Sequence, residues 1–242
     1  MTEAMGTALP EQTTLSGFSK IIGIYSKPRE VFASLKAKPD WLLPLIIICI
    51  LSLVVVYVTY DARMFDVRNN ILSNPNLTEE QRVVIEERLT QQSPILSVVF
   101  TPVGVTVYIF FFTLVIYLVF NVILGGSGSF KKMLSIFTYS CLVGIPEFII
   151  KTPLILAKGS IEKVQTSLAL FLPVDLSDKF YYNFLAGFDI FNLWQVLLIS
   201  VGISVIYNFT FKKSFTTVFI LWLLAILVGT VLKTVFGGMF GM

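Results

Sequence analysis

The chain has 242 residues, of which 55% are hydrophobic and 14% charged, with a mean hydropathy of +0.82. A soluble domain of this size carries about 25% charged residues, so the composition is that of a membrane protein. A formal net charge of +3 is too small to argue for nucleic acid, and the absence of histidine excludes Ser-His and Cys-His nucleophiles, the HExxH signature and every His-liganded zinc site.

Residues 1–17 are polar with no apolar core and are expected to form a disordered tail. The first long apolar run begins at Trp41, so the first span is expected to direct insertion. The intervening stretch SGFSKIIGIYSKPREVFASLKAKPDW reads as one or two amphipathic helices lying on the cytoplasmic surface. Ser26 is placed to cap a helix with Pro28 in its first turn, and Glu30 there suits the helix dipole. Val31, Phe32 and Leu35 form one apolar face. Lys27, Arg29, Lys36 and Lys38 can reach anionic headgroups, each worth about 1 kcal/mol near the surface. Two roles are open for this arm: an elbow that orients the first span, or a sensor of lipid composition or curvature.

A spanning helix needs about 20 apolar residues, and five segments qualify. They are expected at about 41–60, 97–124, 133–154, 191–211 and 215–236, followed by a flexible tail at 237–242. The second run exceeds one span's need, so it is tilted or begins with an interfacial turn around Pro102. The third ends between Ile150 and Ala157. Lys212-Lys213-Ser214 joins the last two as an antiparallel hairpin. Every backbone group in hydrocarbon must bond internally, so the fold class is an all-α polytopic membrane bundle with an N-terminal amphipathic helix. Cys49 and Cys141 lie in apolar segments and read as small packed side chains.

Between the spans, Thr78 and Gln81 have capping-box spacing, which predicts a charged helix over 79–92 stopped by Pro94. Asn76-Leu77-Thr78 has the form of a glycosylation sequon. Gly125-Gly126-Ser127-Gly128-Ser129 follows no strand and reads as a flexible turn. Val164–Leu172 is too short to span and reads as an amphipathic helix at the outer interface. Phe180, Tyr181, Tyr182, Phe184 and Phe188 continue as an aromatic belt. Ser200 with Ser204, and Ala225 with Gly229, repeat small residues at four-residue spacing. That pattern suits bundle packing, with self-association as the alternative.

Five spans put the termini on opposite sides. Lys20, Lys27, Arg29, Lys36 and Lys38 precede the first span, and the two tightest loops carry Lys131-Lys132 and Lys212-Lys213. On the other side, four arginines sit among six acids in loop 61–94. The bias places the N-terminus in the cytoplasm and the C-terminus outside.

The candidate polar site begins with PEFIIKTP (146–153), where Glu147 and Lys151 are i,i+4 inside an apolar run fenced by prolines. Counted from Lys132 at about 1.5 Å per residue, Lys151 falls near the outer boundary and can snorkel, while Glu147 lies one turn deeper and pairs with it. Pro153 then marks where that helix bends or ends. Asp189, Asn192 and Gln195 enter the fourth span at i,i+3 spacing and are expected to share one face near the same depth. No catalytic, cofactor or metal residue is indicated.

Three stretches together resemble the Yip family, the five-span membrane proteins named for interaction with Ypt/Rab GTPases. They are SKPREVFASLKAKPDWLLPLI (26–46), NVILGGSGSFKKMLSIFTYSCLVGIP (121–146) and FDIFNLWQVLLISVGISVIYNFTFKKSF (188–215), and the resemblance covers about residues 18–236. The short arm lacks the Asp-Leu-Tyr-Gly-Pro-type motif of eukaryotic members. The chain therefore looks like the prokaryotic branch, and Rab binding does not carry over. The resemblance implies a non-enzymatic protein of a cytoplasmic membrane that organises bilayer or recruits partners as a scaffold or adaptor. Its partners would be the bilayer itself, anionic headgroups at the basic helix, and unknown proteins including further copies of the chain. The competing expectation is a small solute or ion carrier built on Glu147, Lys151 and the polar face of the fourth span.

Overall fold

The computed structural model describes residues 15–73, 77–91, 94–173, 176 and 179–240, with side chains through Val235. Most of the expected N-terminal tail, the sequon asparagine and Gln92 lie outside these residues. The chain is all-α: the only extended pairing among the described residues is one isolated bridge, Ser167 with Asp189.

The first two helices among the described residues are short, α1 (Gly17–Ser26) and α2 (Pro28–Ala37). Ser16 caps α1 by accepting from the Ser19 amide. Ser26 does not cap α2. It closes α1, and Lys27 takes the cap position with no side-chain bond, because Pro28 at the first helical position leaves fewer donors to satisfy. The apolar face of α2 is covered by the bundle, not left for lipid as the amphipathic pattern suggested. Val31, Phe32 and Leu35 are fully buried, and α2 packs along the fourth span.

The first span, α3 (Leu42–Val58), breaks at Thr59 and bends by 60° into α4 (Tyr60–Leu72). Thr59 folds its hydroxyl back onto the Val55 carbonyl at 2.7 Å, a bond that bends helices, and the sequence turns polar there. The capping box forms as read. Gln81 N donates to Thr78 Oγ1 and Thr78 N to Gln81 Oε1, opening α5 (Glu79–Gln91), which buries no residue. Pro94 is the first residue of α6 (Pro94–Leu118), which runs through Pro102 and continues as a π turn to Ile123.

The glycine-rich turn is not loose. Gly126 N donates to Phe120 O, Gly128 N donates to Asn121 Oδ1, and Asn121 reaches Tyr207 Oη. A Cβ on Gly128 would fall 2.2 Å from the Tyr207 ring, so glycine is there for close approach.

The third span is helical from Phe130 to Lys158 in three pieces: α7 (Phe130–Ser140), a 3-10 turn at Cys141–Val143, and α8 (Gly144–Lys158). Pro153 neither ends nor breaks it. The helix tightens at residues 141–143 and stops at Gly159, whose φ is +60°. Buried Thr152 and Ile155 hold the turn around Pro153 in place.

Val164–Leu172 is not an amphipathic α-helix. Its first half runs extended, with Leu168 N donating to Phe188 O and Ile190 N to Thr166 O, and only Leu168–Phe171 forms a 3-10 turn. The aromatic stretch forms α9 (Phe180–Ala186). The fourth span, α10 (Ile190–Tyr207), ends earlier than expected because Asn208 adopts a left-handed conformation, φ +58°. The hairpin turn is therefore Asn208-Phe209-Thr210. Lys212 and Lys213 belong to the first turn of α11 (Phe211–Phe240), which carries helix into the segment expected to be a flexible tail.

Among the described residues four helical segments, Ile95–Ile123, Phe130–Lys158, Ile190–Tyr207 and Phe211–Val235, are long and apolar enough to cross a membrane; the bent pair α3–α4, taken as one span, makes five. The core sits where α2, α7 and α10 meet. At Gly202 an added Cβ would strike Ile136 at 2.6 Å and Phe32 at 3.0 Å, so the close approach in α10 occurs there, between the two small residues read from spacing. Gly229 faces open space.

Candidate functional site

Glu147 and Lys151 lie one turn apart on α8, so their side chains meet by helix geometry alone: Lys151 Nζ donates to Glu147 Oε1 at 2.7 Å. Asp189 joins them from the start of α10. As the N-cap, it accepts the Phe191 amide on Oδ1 at 2.8 Å, which aims Oδ2 at Lys151 Nζ, 2.9 Å away. Thr166 Oγ1 also donates to Oδ2, and the Phe191 ring lies 5.4 Å from the ammonium. Side-chain exposure is 20% at Lys151, 36% at Glu147 and 10% at Asp189. The lysine is thus more enclosed than the glutamate, its ammonium held between the two carboxylates. One ammonium ties two carboxylates on separate spans, leaving a formal charge of −1.

The other two candidates do not join this triad. Asn192 is exposed. Gln195 donates to Cys141 Sγ at 3.1 Å, bridging α10 to the 3-10 turn of the third span. The i,i+3 rule placed all three on one face, but Asp189 is a cap residue with extended backbone, φ −84° and ψ 142°, so the helical rotation does not apply to it. Thr166 was missed altogether. It reaches the site because the segment after Gly159 folds back along the start of α10, a pairing with no local sequence signal.

A second polar cluster closes the same end of the bundle. Asp66 on α4 is buried and accepts from Ser160 Oγ at 2.6 Å, Ile161 N at 2.7 Å and Glu162 N at 3.2 Å. Asn70 donates to Glu162 Oε1. Asp66 thus caps the turn after Gly159 from another helix, which is why the bent α4 is held against α8. Tyr182 on α9 is buried here too. Burial, then the nearby Glu162 carboxylate, raises its hydroxyl above the usual tyrosine range, so it stays neutral.

At the opposite end, the arm α1–α2 is locked by three polar contacts. Lys20 is buried and pairs with Asp40 Oδ2 at 3.7 Å, which also accepts from Tyr139 Oη at 3.2 Å. Tyr25 Oη donates to Leu142 O at 2.6 Å. That carbonyl lies four residues before Pro146, which has no N–H to offer it, so the arm supplies the donor the helix lacks. Burial pushes the Tyr25 hydroxyl up to about 12. Lys36 Nζ donates to Val205 O at 3.2 Å and Asn208 Oδ1 at 2.7 Å, capping the end of α10. Lys20 and Lys36 are therefore structural cations. Lys27, Arg29 and Lys38 stay exposed, beside exposed Lys131, Lys212 and Lys213 at the same end.

Among the described residues no group of three or more Cys, Asp or Glu is placed to hold a metal ion. A family model described as the Yip1 domain matches residues 22–232. No curated protein and no solved structure gives a match.

Proposed function

The chain belongs to the Yip1-domain family and is a multi-pass integral membrane protein, and on that premise we propose that it is a non-enzymatic membrane-organising scaffold or adaptor. The observation that carries this reading is the rigid cationic end. Phe32, Val31 and Leu35 anchor the arm in the core, while Lys27, Arg29, Lys38, Lys131, Lys212 and Lys213 are exposed around it, Lys27 beside Glu30 and Lys213 over the Phe209 ring. Such a surface suits anionic headgroups and acidic protein segments, because its cations are held in place before a partner arrives. With the lysine distribution it also supports a cytoplasmic N-terminus and an outside C-terminus, and the arm's lack of an Asp-Leu-Tyr-Gly-Pro-type motif supports a prokaryotic cytoplasmic membrane as the setting. Residues 18–236 act as one membrane domain in this reading. The triad weighs against a carrier: Lys151 has a carboxylate on each side, and Asp189 is closed by Thr166 and the Phe191 amide.

The test is proximity labelling from the N-terminus in native membranes, with wild type and the triple variant Lys27→Glu, Arg29→Glu, Lys38→Glu. The reading expects a reproducible partner set that the variant loses while its melting temperature is unchanged. A wild-type set no different from that of an unrelated five-span control refutes it.

A further inference from the structure

A groove of about 640 Å³ opens between the start of α10, the middle of α11 and the segment 165–171. Its size falls within the range of about 300–1,000 Å³ typical of small-ligand sites. Its two ends differ in chemistry. One end is polar, formed by Gln165, Thr166, Ser167 and Asp189. The other is apolar, formed by Leu193, Phe219 and Trp222 among others. Asp189 starts the fourth span, so the polar end lies at the membrane boundary. Trp222 lies eleven residues into α11 from the other side, which at about 1.5 Å per residue is roughly half the depth of the hydrocarbon. The groove therefore runs from headgroup level down into the acyl layer. Leu170 and Phe171 at its rim are exposed at that same boundary.

We propose that this groove holds one lipid of the leaflet at that end, with a primary ammonium headgroup at Gln165, within the field of the triad behind it, and an acyl chain over Leu193, Phe219 and Trp222. Charge complementarity selects the head. The triad behind the polar wall carries −1, because Glu147 and Asp189 share a single Lys151. The wall also presents acceptors, Gln165 Oε1, which already accepts from Ser167 Oγ, and the Thr166 and Ser167 hydroxyl oxygens, while the Asp189 oxygens, already filled by Lys151, Thr166 and the Phe191 amide, supply charge only. Acceptors beside a net negative charge favour a headgroup that donates hydrogen bonds and is cationic. A quaternary ammonium brings charge without N–H donors, and a glycerol headgroup leaves the lipid anionic. This inference rests on the membrane placement of the spans and not on the cationic end, so charge reversal at Lys27, Arg29 and Lys38 leaves it untouched.

Trp222 lines the groove and serves as the reporter. The full chain carrying Trp41→Phe and Trp194→Phe is titrated in detergent with brominated-chain lipids of identical tails bearing ethanolamine, choline or glycerol headgroups. The ethanolamine lipid is expected to quench Trp222 with an apparent affinity about threefold tighter than the choline lipid, the scale of one half-exposed ion pair, and the glycerol lipid weakest. Glu147→Gln makes the triad neutral without touching the groove, and is expected to erase this ranking while quenching persists. Leu193→Phe fills the apolar end and is expected to weaken all three lipids. Equal quenching by the three lipids, or a ranking that survives Glu147→Gln, overturns the proposal.

Discussion

The two ends of the bundle are held by different physics. At the N-terminal end α2, α7 and α10 interdigitate around Phe32, Ile136, Leu142 and Ile203, all fully buried, and polar contacts finish helix ends. At the other end a small separate cluster, Ala62, Ile155 and Val164, is buried among the described residues, and the ties are Asp66 and the Lys151 triad. The contrast follows from chain geometry. Gly202 lets helices close tightly at one end, whereas the bend at Thr59 carries α4 away from α3 at the other, leaving a gap that charge and hydrogen bonds bridge. Apolar packing tolerates small shifts, but a buried carboxylate demands its donors in place.

Breaking the packed end has the largest expected effect. Phe32→Ala removes a fully buried ring and should cost about 3–5 kcal/mol, read as a lower unfolding midpoint in detergent. If the arm lay on the bilayer instead, the loss would be close to zero.

At the charged end, Lys151→Met leaves two carboxylates facing each other. The expected cost is about 2 kcal/mol, below that of a fully buried pair because the protein does not fully enclose Glu147. Adding Glu147→Gln to Lys151→Met should recover part of the loss, and a double-mutant cycle measures that coupling. Asp66→Ala strands three donors after Gly159 and should cost about 1–3 kcal/mol, with faster hydrogen exchange at Ile161 and Glu162 while exchange in α2 is unchanged.

The smallest effect sharpens the link between arm and span. Tyr25→Phe removes the donor to Leu142 O and should cost about 1 kcal/mol. Its pH dependence has a defined sign. Burial raises the folded hydroxyl to about 12 from an unfolded value near 10. The neutral form is therefore the one that folding favours. Its contribution is complete below about pH 10 and is lost as pH rises toward 12. Wild type should lose stability over that window more steeply than Tyr25→Phe, measured as the difference between their melting curves.

These contrasts also explain what the sequence could and could not reveal. The spans were legible because 20 apolar residues have few other fates, and the capping box Thr78–Gln81 was legible because its bonds are local. The Glu147–Lys151 contact followed from spacing. Asp189 was visible as polar, but its orientation was not, since a cap residue does not follow helical periodicity. Thr166, Asp66 and the Tyr25–Leu142 contact join residues 23, 94 and 117 positions apart or more closely tied only through the fold, and no window of sequence holds both partners. The arm misled for a related reason. An amphipathic face shows that something covers it, and hydrocarbon and a neighbouring helix are alike to Phe32 and Leu35. Lys36 looked like a headgroup ligand because a cation's partner is invisible in its own segment.

The claim on which the account stands is that α1 and α2 are part of the bundle, presenting fixed cations rather than floating on lipid. Hydrogen exchange of residues 29–36 in nanodiscs without anionic lipid tests it most directly. The account predicts protection in α2 comparable to that of α10, and no change when anionic lipid is added. Exchange as fast as in the unburied α5, slowing only when anionic lipid is present, would contradict it.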